Sequence, residues 1–471
     1  MVNKVSEQLS LPVSEAVDSR LLKLPYRERL IKLLLSDLDF HDKGSGYASH
    51  NFHAFPAKFP PQLPRKFIDG LTQPEDVVLD PMMGSGTTIL EAFLRQRQGV
   101  GFDIDPLALL IAEVKVTSLD LEVMDKYFHQ VIQGARERLN SHLPDLNASL
   151  ASRWDNETKK FIDYWFTRQT QLELLALVTE IEKIPEKKVR QFLQLVFSSS
   201  IITKTGGVSL ALDLAHTRPH KAKLIIDQSG RAIVEDGDAA SRKNANILTK
   251  TLRSAIVEFE KKYKNNLKGV SPFSEKALTP KIAYGNAQAL DYPDSSVDLI
   301  VTSPPYASNA IDYMRAHKFS LVWFGYPIAD LSQKRQQYIG GDAISGFDLE
   351  DLPHEAKQIV RQISSLDKKK SQALLRYYSE MTRALIEMYR VLKPGKASVV
   401  VVGSSVMRGM DTQTHTCLAS IGRKIGFDVP AIGVRTLDRN RRMLPASTDV
   451  NLKSQIQQRM HQEFVIGFYK P

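Results

Sequence analysis

A short apolar run that ends at two consecutive prolines places the strongest constraint on the fold. Residues 299–301 (Leu-Ile-Val) are typical of a buried central strand. Pro304 and Pro305 can neither continue a strand ladder nor enter a helix interior, so the strand is predicted to stop at Ser303. The prolines also keep the backbone extended, so Ser303 and Tyr306 are presented with little conformational freedom left to lose.

This turn presents a hydroxyl oxygen beside an aromatic ring. A planar base could stack on Tyr306 while its amino group donates to Ser303 and a nearby carbonyl. An ordinary strand followed by a proline turn has the same residues, and a lone Ser-Pro-Pro favours that simpler interpretation. A second motif upstream favours the interpretation as a binding site over that of an ordinary turn.

Residues 77–88 predict a strand, a glycine turn and a capped helix start. Gly84 and Gly86 allow the backbone to approach a ligand closely, and Thr87 or Thr88 can cap a helix whose N-terminus offers free N–H groups. The third glycine of the dinucleotide fingerprint is missing and no Gly-Lys-Ser/Thr follows, so neither NAD nor an ATP phosphate fits well. The turn therefore predicts a loop for a different nucleotide cofactor.

A second predicted strand ends in an acidic residue. Residues 99–105 read Gly-Val-Gly-Phe-Asp-Ile-Asp. Asp103 follows the glycine loop by about 20 residues, the distance at which an acid binds a ribose hydroxyl pair. A third predicted strand leads from Lys281 to Asn286, a residue that also suits an ordinary turn. Loop and acid together indicate a nucleotide site more strongly than the glycines alone.

These motifs resemble the S-adenosylmethionine-dependent amino methyltransferases of DNA, most closely their N4-cytosine branch with its Thr-Ser-Pro-Pro-Tyr hallmark. Residues 302–306 match that hallmark without substitution. Residues 80–87 match the family's cofactor motif, except that Met82 stands where the family usually has Phe. Residues 51–60 are similar to the segment that, in this family, closes over the methionine end of the cofactor. The resemblance covers only pieces of the chain.

The resemblance implies a doubly wound, Rossmann-like α/β methyltransferase sheet in its direct order, S-adenosyl-L-methionine as cofactor and no metal. In the adenine-contacting position of the family stands Asn286. The implied catalytic motif is Ser303, Pro304, Pro305 and Tyr306. The implied cofactor-binding residues are Phe55, Lys58, Phe59, Asp80, Pro81, Gly84, Gly86, Thr87, Thr88, Asp103, Ile104 and Asn286.

The rest of the chain is expected to surround this core. Residues 1–49 are predicted to form an N-terminal helical appendage, and residues 50–117 and 276–471 the methyltransferase core. Residues 118–275 are predicted to form a mainly helical insertion with one hairpin, a candidate region for DNA recognition. Residues 326–372 are predicted to be an exposed insertion within the core. The helical insertion could equally pack against the core and read no DNA.

The charge of the chain favours a polyanionic partner. Its net charge is +10 and its pI about 9.3, although this excess is modest when spread over 471 residues. A solvated face is the alternative for any basic run. The candidate DNA-binding residues are Arg218, Lys221, Arg435, Arg439, Arg441 and Arg442.

The single cysteine argues against two neighbouring reactions. Methylation at carbon 5 of cytosine needs a thiolate, usually presented after a proline, whereas Cys417 follows Thr416 and lies outside the site motifs. Zinc-dependent deamination of a base needs Cys-x-x-Cys ligands, which this chain lacks. His317 could act as a base, but a lone histidine on a helix is more often structural.

The resemblance thus implies a site-specific methyltransferase acting on the N4 amine of cytosine in double-stranded DNA, with a flipped target base and a cognate restriction endonuclease as partner. Serine at position 303 favours cytosine, and adenine N6 stays open. A non-catalytic cofactor- and DNA-binding module and an RNA methyltransferase are the alternatives. No apolar run approaches membrane-spanning length and the N-terminal stretch from Met1 lacks an apolar signal region, so a location in the prokaryotic cytoplasm or nucleoid is expected.

Overall fold

The structure is a computed structural model. It describes residues 18–55, 58–203, 207–212, 214, 221–222, 224–235, 249–270, 278–307, 312–341, 346–403, 405–437 and 462–471. The strands are β1 (Val77–Asp80), β2 (Gln98–Asp103), β3 (Leu224–Ile226), β4 (Ala232–Glu235), β5 (Thr249–Thr251), β6 (Lys281–Tyr284), β7 (Val297–Thr302), β8 (Leu392–Gly403), β9 (Val406–Met407), β10 (Met410–Asp411), β11 (Ile432–Thr436) and β12 (Gln462–Tyr469).

Helices cover the strands and build the segment between β2 and β6. They are α1 (Ser19–Leu22), α2 (Tyr26–Leu34), α3 (Gln62–Leu71), α4 (Thr87–Leu94), α5 (Pro106–Lys115), α6 (Leu121–Ser141), α7 (Leu143–Ser152), α8 (Asn156–Trp165), α9 (Arg168–Glu182), α10 (Lys187–Ile201), α11 (Ala255–Leu267), α12 (Met314–Leu321), α13 (Ile328–Gln336), α14 (His354–Leu366), α15 (Lys368–Val391) and α16 (Thr414–Ile425). Short 3-10 helices occupy Ala48–Asn51 and Val322–Phe324. Within the described ranges, no helix combines the length and the apolar character needed to cross a membrane.

The central sheet has seven strands in the order β11-β12-β8-β7-β1-β2-β6. Strands β8, β7, β1, β2 and β6 run parallel to one another, whereas β12 is antiparallel to both β8 and β11. This topology confirms the predicted doubly wound, Rossmann-like methyltransferase sheet in its direct order. Parallel strands end at one edge of a sheet, so the loops after β1, β2, β6 and β7 meet there, where such sheets bind ligands.

Strand β7 runs through the middle of the sheet and is buried along its whole length. Asp298 is the charged residue within it, and its carboxylate accepts hydrogen bonds from the backbone N–H of Val77 (3.1 Å) and from Lys393 Nζ (2.8 Å). Lys396 Nζ lies 3.3 Å from the same carboxylate. These partners compensate the burial of the charge, so an aspartate is tolerated in a central strand.

The N-terminal segment corrects one prediction. Residues 1–49 are expected as an appendage, yet Leu30 and Leu34 of α2 are buried in one hydrophobic cluster with Val399 and Val465 of the central sheet. Helix α2 contacts β8, β11 and β12. It is therefore part of the helical layer of the core, because its apolar face has a sheet face to cover.

The segment predicted as an exposed insertion, residues 326–372, is also integrated into the core. Ala356, Ile359 and Ile363 of α14 are buried among residues of α15 and α16. Helix α15 begins at Lys368 within this segment and runs to Val391 in the core. The Lys- and Gln-rich composition reflects only the outer face of these amphipathic helices.

Residues 118–275 contain α6 to α11 and a three-stranded sheet in the order β4-β3-β5. The predicted hairpin is present as the antiparallel pair β3 and β4, whereas β5, parallel to β3, has no counterpart in the prediction. Phe166 packs against Phe319 and Trp323, with ring centroids 6.0 and 5.5 Å apart. The helices of this segment thus share one hydrophobic core with the helix that follows β7.

Candidate functional site

A cleft opens where β1, β2, β6 and β7 end, and it brings together most of the predicted site residues. The predicted residues that line it are Phe55, Lys58, Phe59, Asp80, Pro81, Gly84, Thr87, Asp103, Ile104, Asn286, Ser303 and Pro305. Gly86, Thr88, Pro304 and Tyr306 lie beside the cleft but not in its wall. The two motifs, more than 200 residues apart in the sequence, therefore face one space.

The glycine loop at the end of β1 has the backbone conformation that the sequence predicts. Gly84 and Gly86 both have positive φ, +49° and +72°. A Cβ on Gly86 would lie 2.8 Å from Ala112 Cβ, and a Cβ on Gly84 would lie 3.2 Å from the Phe55 ring. The loop therefore needs glycine both for its conformation and for its close approach to α5 and to the ring above it.

Asp103 closes the glycine loop from the end of β2. Its carboxylate accepts hydrogen bonds from the backbone N–H of Gly84 (2.8 Å) and of Asp105 (2.9 Å). Burial, and then the neighbouring Asp105 carboxylate, raise the pKa of Asp103 to about 7. Burial likewise raises the pKa of Asp80 to about 6. Two weakly acidic carboxyl groups thus face the cleft.

Asp105 is a site residue that sequence reasoning missed. One carboxylate oxygen caps α5 through the N–H of Leu107 (2.8 Å). The other pairs with His317 Nδ1 and accepts a hydrogen bond from Tyr338 Oη (2.8 Å). Burial would raise the pKa of Asp105, but the His317 charge and these hydrogen bonds outweigh it and the pKa is lowered. Its position two residues after Asp103 was the only sequence signal.

His317 has the structural role that is more common for a lone histidine. Its side chain is fully buried and is held by Asp105, and its ring packs 5.3 Å from Phe55 and 5.9 Å from Tyr313. It does not line the cleft. In this arrangement His317 fixes the wall of the cleft and does not reach a ligand.

Phe55, Lys58 and Phe59, from the segment before the glycine loop, form a second wall. Phe55 stacks on Tyr313, with centroids 4.8 Å apart. Lys58 Nζ donates to the carbonyls of His50 (2.9 Å) and His53 (3.3 Å) and so ties the segment into a loop. Both rings of this pair line the cleft, and Phe55 belongs to the segment that the resemblance implies covers a bound cofactor.

The Ser-Pro-Pro-Tyr motif follows directly from the end of β7. Ser303 and Pro305 line the cleft, whereas Pro304 is buried. The Tyr306 ring is half-buried, and its hydroxyl donates to Glu463 Oε1 (3.0 Å) and accepts from Ser303 Oγ (3.5 Å). The aromatic side chain that directly lines the cleft near this motif is Tyr313.

Arg435 corrects another prediction. Expected as an exposed phosphate contact, its side chain is buried and pairs with Glu463 Oε2. The reason is strand alternation: in β11 the buried positions are Gly433 and Arg435, and the side chain of Val434 between them points outward. Arg435 therefore stabilises Glu463 and is not available to DNA.

The other predicted DNA contacts are not brought into the cleft. Lys221 is exposed, with Nζ 4.7 Å above the Tyr164 ring. Arg218, Arg439, Arg441 and Arg442 lie outside the described residues.

Further cleft residues come from parts of the chain with weak or no motif signal. Met82, Met83 and Ser85 belong to the glycine loop itself, and Gly285 and Ala287 flank Asn286. Gln337, Tyr338 and Ile339 follow α13, in the segment that composition marks as an exposed insertion, so nothing local announces them. The remaining lining residues missed by sequence reasoning are Asp105, Ala108 and Tyr313.

The residues present fit S-adenosylmethionine. Asp103 offers carboxylate oxygens at the end of β2, where the sugar hydroxyls of a nucleoside would donate. Ile104, Met82 and Phe55 supply apolar surface, and Gly84 leaves room for a ligand against the backbone. The cleft thus has the polar and apolar groups that a nucleoside with an amino-acid tail requires.

Comparisons with known proteins agree with this site. A family profile described as DNA methylase matches residues 36–114, the stretch that holds the glycine loop and Asp103. The Type II methyltransferase M.MvaI of Kocuria varians is 23% identical over 402 residues, 82% of this chain and 84% of that protein. The Type II methyltransferase M.BsoBI of Geobacillus stearothermophilus is 23% identical over 403 residues, 76% of this chain and 74% of that protein.

Among solved structures, a TehB-like methyltransferase from Corynebacterium glutamicum covers 87% of this chain and 87% of its own, with 8% identity and a TM-score of 0.26. That score is too low to support structural inference.

Fold and cleft together define an S-adenosylmethionine-dependent methyltransferase. The comparisons support the resemblance to the amino methyltransferases of DNA of the N4/N6 kind, because a DNA methylase profile matches residues 36–114 and the relatives are Type II methyltransferases.

Proposed function

We propose that this protein methylates the exocyclic N4 amine of cytosine in double-stranded DNA, as the modification component of a restriction–modification system. The observation that carries the proposal is that Ser303 and Pro305 line the same cleft as Asp80, Gly84 and Asp103. The relatives are Type II methyltransferases, which supports the restriction–modification context. Serine at position 303 supports cytosine.

S-adenosylmethionine, when bound, supplies an activated methyl group. The residues of the chain must then position an amine and exclude water. Asp103 would accept the ribose hydroxyls, and Asn286, at the end of β6, would contact the adenine. The Phe55 and Tyr313 pair would close the cleft over the ligand and away from solvent.

The target base must leave the duplex to reach this cleft. Ser303 Oγ and carbonyls near Pro304 would accept hydrogen bonds from the amine and so orient its lone pair. As positive charge builds on the nitrogen, these acceptors favour the transition state over the flat ground state. The Tyr306 ring would support the base, and its hydroxyl contact with Glu463 would hold the ring in place.

The test is to incubate the purified protein with isotopically labelled S-adenosylmethionine and unmethylated duplex DNA, digest the DNA and identify the labelled nucleoside by mass spectrometry. N4-methylcytosine is the expected product. N6-methyladenine would overturn the choice of base and keep the amino mechanism, and absence of label from DNA would overturn the proposal.

Ser303→Ala tests the motif. It should lower kcat with little change in cofactor affinity, because Ser303 would contact the base. Ser36→Ala is the matched control, since Ser36 Oγ donates only to the local Leu33 carbonyl (2.6 Å), far from the cleft. Equal activity of the two variants would contradict the assigned role of Ser303.

A further inference from the structure

A second concave surface, here called the basic pocket, adjoins the cofactor cleft. It lies between a loop that contributes residues 51–55 and Lys58, the end of α10 and one face of α11. Phe55 and Lys58 line both the basic pocket and the cleft, so the loop is a partition between the two. A ligand in the basic pocket would therefore lie directly beside the bound cofactor and target base.

The basic pocket carries an excess of positive charge. Its cationic side chains are Lys58, Arg253, Lys261 and Lys262, against one carboxylate, Glu258. Arg253 Nη1 lies 2.9 Å from Glu258 Oε1, so that carboxylate is already paired. Among the described residues of the wall, cationic side chains outnumber carboxylates by three. A concave surface with such an excess concentrates anions.

Helix α11 presents its lysines from a fixed position. Glu173 accepts hydrogen bonds from Ser254 Oγ (2.8 Å) and from the first N–H groups of the helix. Near the other end, Asn266 Nδ2 donates to the Phe52 carbonyl (3.1 Å). The helix is thus bonded directly to the loop that separates the two cavities, and its cationic face needs little ordering when a ligand binds.

We propose that the basic pocket binds a backbone phosphate of the DNA strand that carries the target base. This inference rests on the proposed function, because that function brings a DNA strand to the neighbouring cleft. Ammonium groups on a rigid helix, with amide donors such as Asn265 on the same wall, suit a phosphodiester, which offers charged oxygens and no hydrogen-bond donor. Such a contact would fix the strand while the base occupies the cleft.

Two lysines on α11 form a matched pair for the test. Lys261 is exposed and lines the basic pocket; Lys264 is exposed on the same helix and does not line it. Lys261→Ala and Lys264→Ala remove the same charge from the same helix. Binding of each variant and of the wild-type protein to a mixed-sequence duplex is measured by fluorescence anisotropy across a salt series, with thermal melting as the check on folding.

Loss of one phosphate contact lowers the slope of log K against log salt by about 0.9. Lys261→Ala should show that loss, Lys261→Arg should restore the slope, and Lys264→Ala should bind like the wild type. Equal slopes for Lys261→Ala and Lys264→Ala would overturn the inference. So would weaker S-adenosylmethionine binding in Lys261→Ala with an unchanged slope, because the pocket would then serve the cofactor carboxylate.

The salt series also separates this inference from the proposed function. Mixed-sequence binding depends on phosphate contacts and not on methylation. If no DNA is methylated but Lys261→Ala still lowers the slope, the proposed function fails and the phosphate site stands. If methylation proceeds and the slopes are equal, only the phosphate site fails.

Discussion

The Tyr306 hydroxyl donates a hydrogen bond to Glu463 Oε1 over 3.0 Å, although 157 residues separate the two in the chain. Glu463 lies on β12 opposite Gly403 of β8, and its other oxygen pairs with the buried Arg435. Burial, and then the Glu463 charge, raise the pKa of Tyr306 well above its ordinary value, so the phenol keeps its proton and stays a donor. The final hairpin of the sheet thus holds the ring of the Ser-Pro-Pro-Tyr motif.

Removing this hydrogen bond should impair turnover without weakening cofactor binding. Tyr306→Phe keeps the ring and deletes the donor, at a cost of about 1 kcal/mol, or a five- to tenfold lower kcat if the ring must be held in place. Glu463→Gln should act in the same direction, and the double variant should lose little more than the worse single variant. Steady-state kinetics and cofactor titration provide the readout.

Tyr377→Phe is the control for that experiment. Tyr377 is fully buried and its hydroxyl has no hydrogen-bond partner among the described residues. Its removal should leave kcat unchanged. Additive losses from Tyr306→Phe and Glu463→Gln would show that the two residues act independently.

The Glu463 and Arg435 pair should also matter for stability. Glu463→Ala leaves the Arg435 guanidinium buried without its carboxylate, which typically costs about 3–5 kcal/mol of unfolding free energy. Adding Arg435→Met should recover much of that loss, because the uncompensated charge is gone. Urea unfolding of the wild type and the two variants measures the effect, and a Glu463→Ala protein as stable as the wild type would contradict it.

The glycine loop allows conformational strain to be separated from steric clash. Gly86→Ala places a Cβ 2.8 Å from Ala112 at φ +72°, whereas Gly325→Ala meets nothing within 4 Å at φ +88°. Gly325→Ala should therefore lose about 1 kcal/mol from strain alone. Gly86→Ala should lose more stability and also cofactor affinity, because the loop must shift. Equal unfolding free energies for the two variants would show that the loop absorbs the methyl group.

The sequence predicts those parts of the site that depend on local backbone chemistry. Three features depend only on neighbouring residues and not on the tertiary fold. They are a glycine turn after a strand, an acid at the end of the next strand, and a strand that stops at Pro304 and Pro305. Contacts made by tertiary packing are not local, and these were missed: Tyr338 on Asp105, and Glu463 on Tyr306. Tyr338 follows a polar helix, and Glu463 is the charged residue of a mostly apolar strand, so neither segment indicates the partner by its composition.

Errors in the predicted architecture have the same origin. Residues 1–49 are predicted as an appendage because the sequence does not show which face of the sheet the leucines of α2 cover. The charge of Arg435 alone predicts a DNA-facing surface. Strand alternation instead places Arg435 at a buried position of β11, as it does Gly433. Alternation could have been applied from the sequence, but its partner Glu463 on β12 could not have been identified without the strand register.

Lys115 should have opposite effects on stability and on cofactor binding. It is almost fully buried, and its Nζ donates to the Ser85 carbonyl of the glycine loop (2.7 Å). Burial, and then the charge of Lys58, lower its pKa well below the ordinary value, so the folded state binds a proton less readily than the unfolded chain does. At neutral pH this group therefore opposes folding, and its contribution becomes less unfavourable as pH rises toward the unfolded-state pKa.

Lys115→Met should accordingly be as stable as the wild type or more stable at pH 7, and the difference should shrink as pH rises toward 10. Loss of the bond to Ser85 should loosen the loop and weaken cofactor binding about five- to tenfold, the equivalent of one hydrogen bond. Denaturant melts across the pH range test the expected change in stability. Isothermal titration with S-adenosylhomocysteine tests the expected loss of cofactor affinity. A variant that is less stable but binds normally would contradict the role given to the amine.

Asp103 should make nucleoside binding depend on pH near neutrality. Its pKa in the free protein is raised to about 7, and ribose hydroxyls donate more strongly to the ionised carboxylate than to the protonated acid. Affinity should therefore fall as pH drops through that value, by about tenfold between pH 8 and pH 6. Adenosine is the suitable probe, because it has no group that titrates in this range.

The same titration acts on stability with the opposite sign. Because burial raises the folded-state pKa of Asp103 above that of the unfolded chain, its contribution to stability is largest at low pH and is lost as pH rises through about 7. Asp103→Asn should remove both trends: its adenosine affinity should be weak and flat with pH, and its stability relative to the wild type should increase toward pH 8. If Asp80 and not Asp103 controlled adenosine binding, the midpoint of the affinity change with pH would lie near 6, the pKa of Asp80. An adenosine affinity that stays constant from pH 6 to pH 8 in the wild type would mean that Asp103 does not hold the ribose.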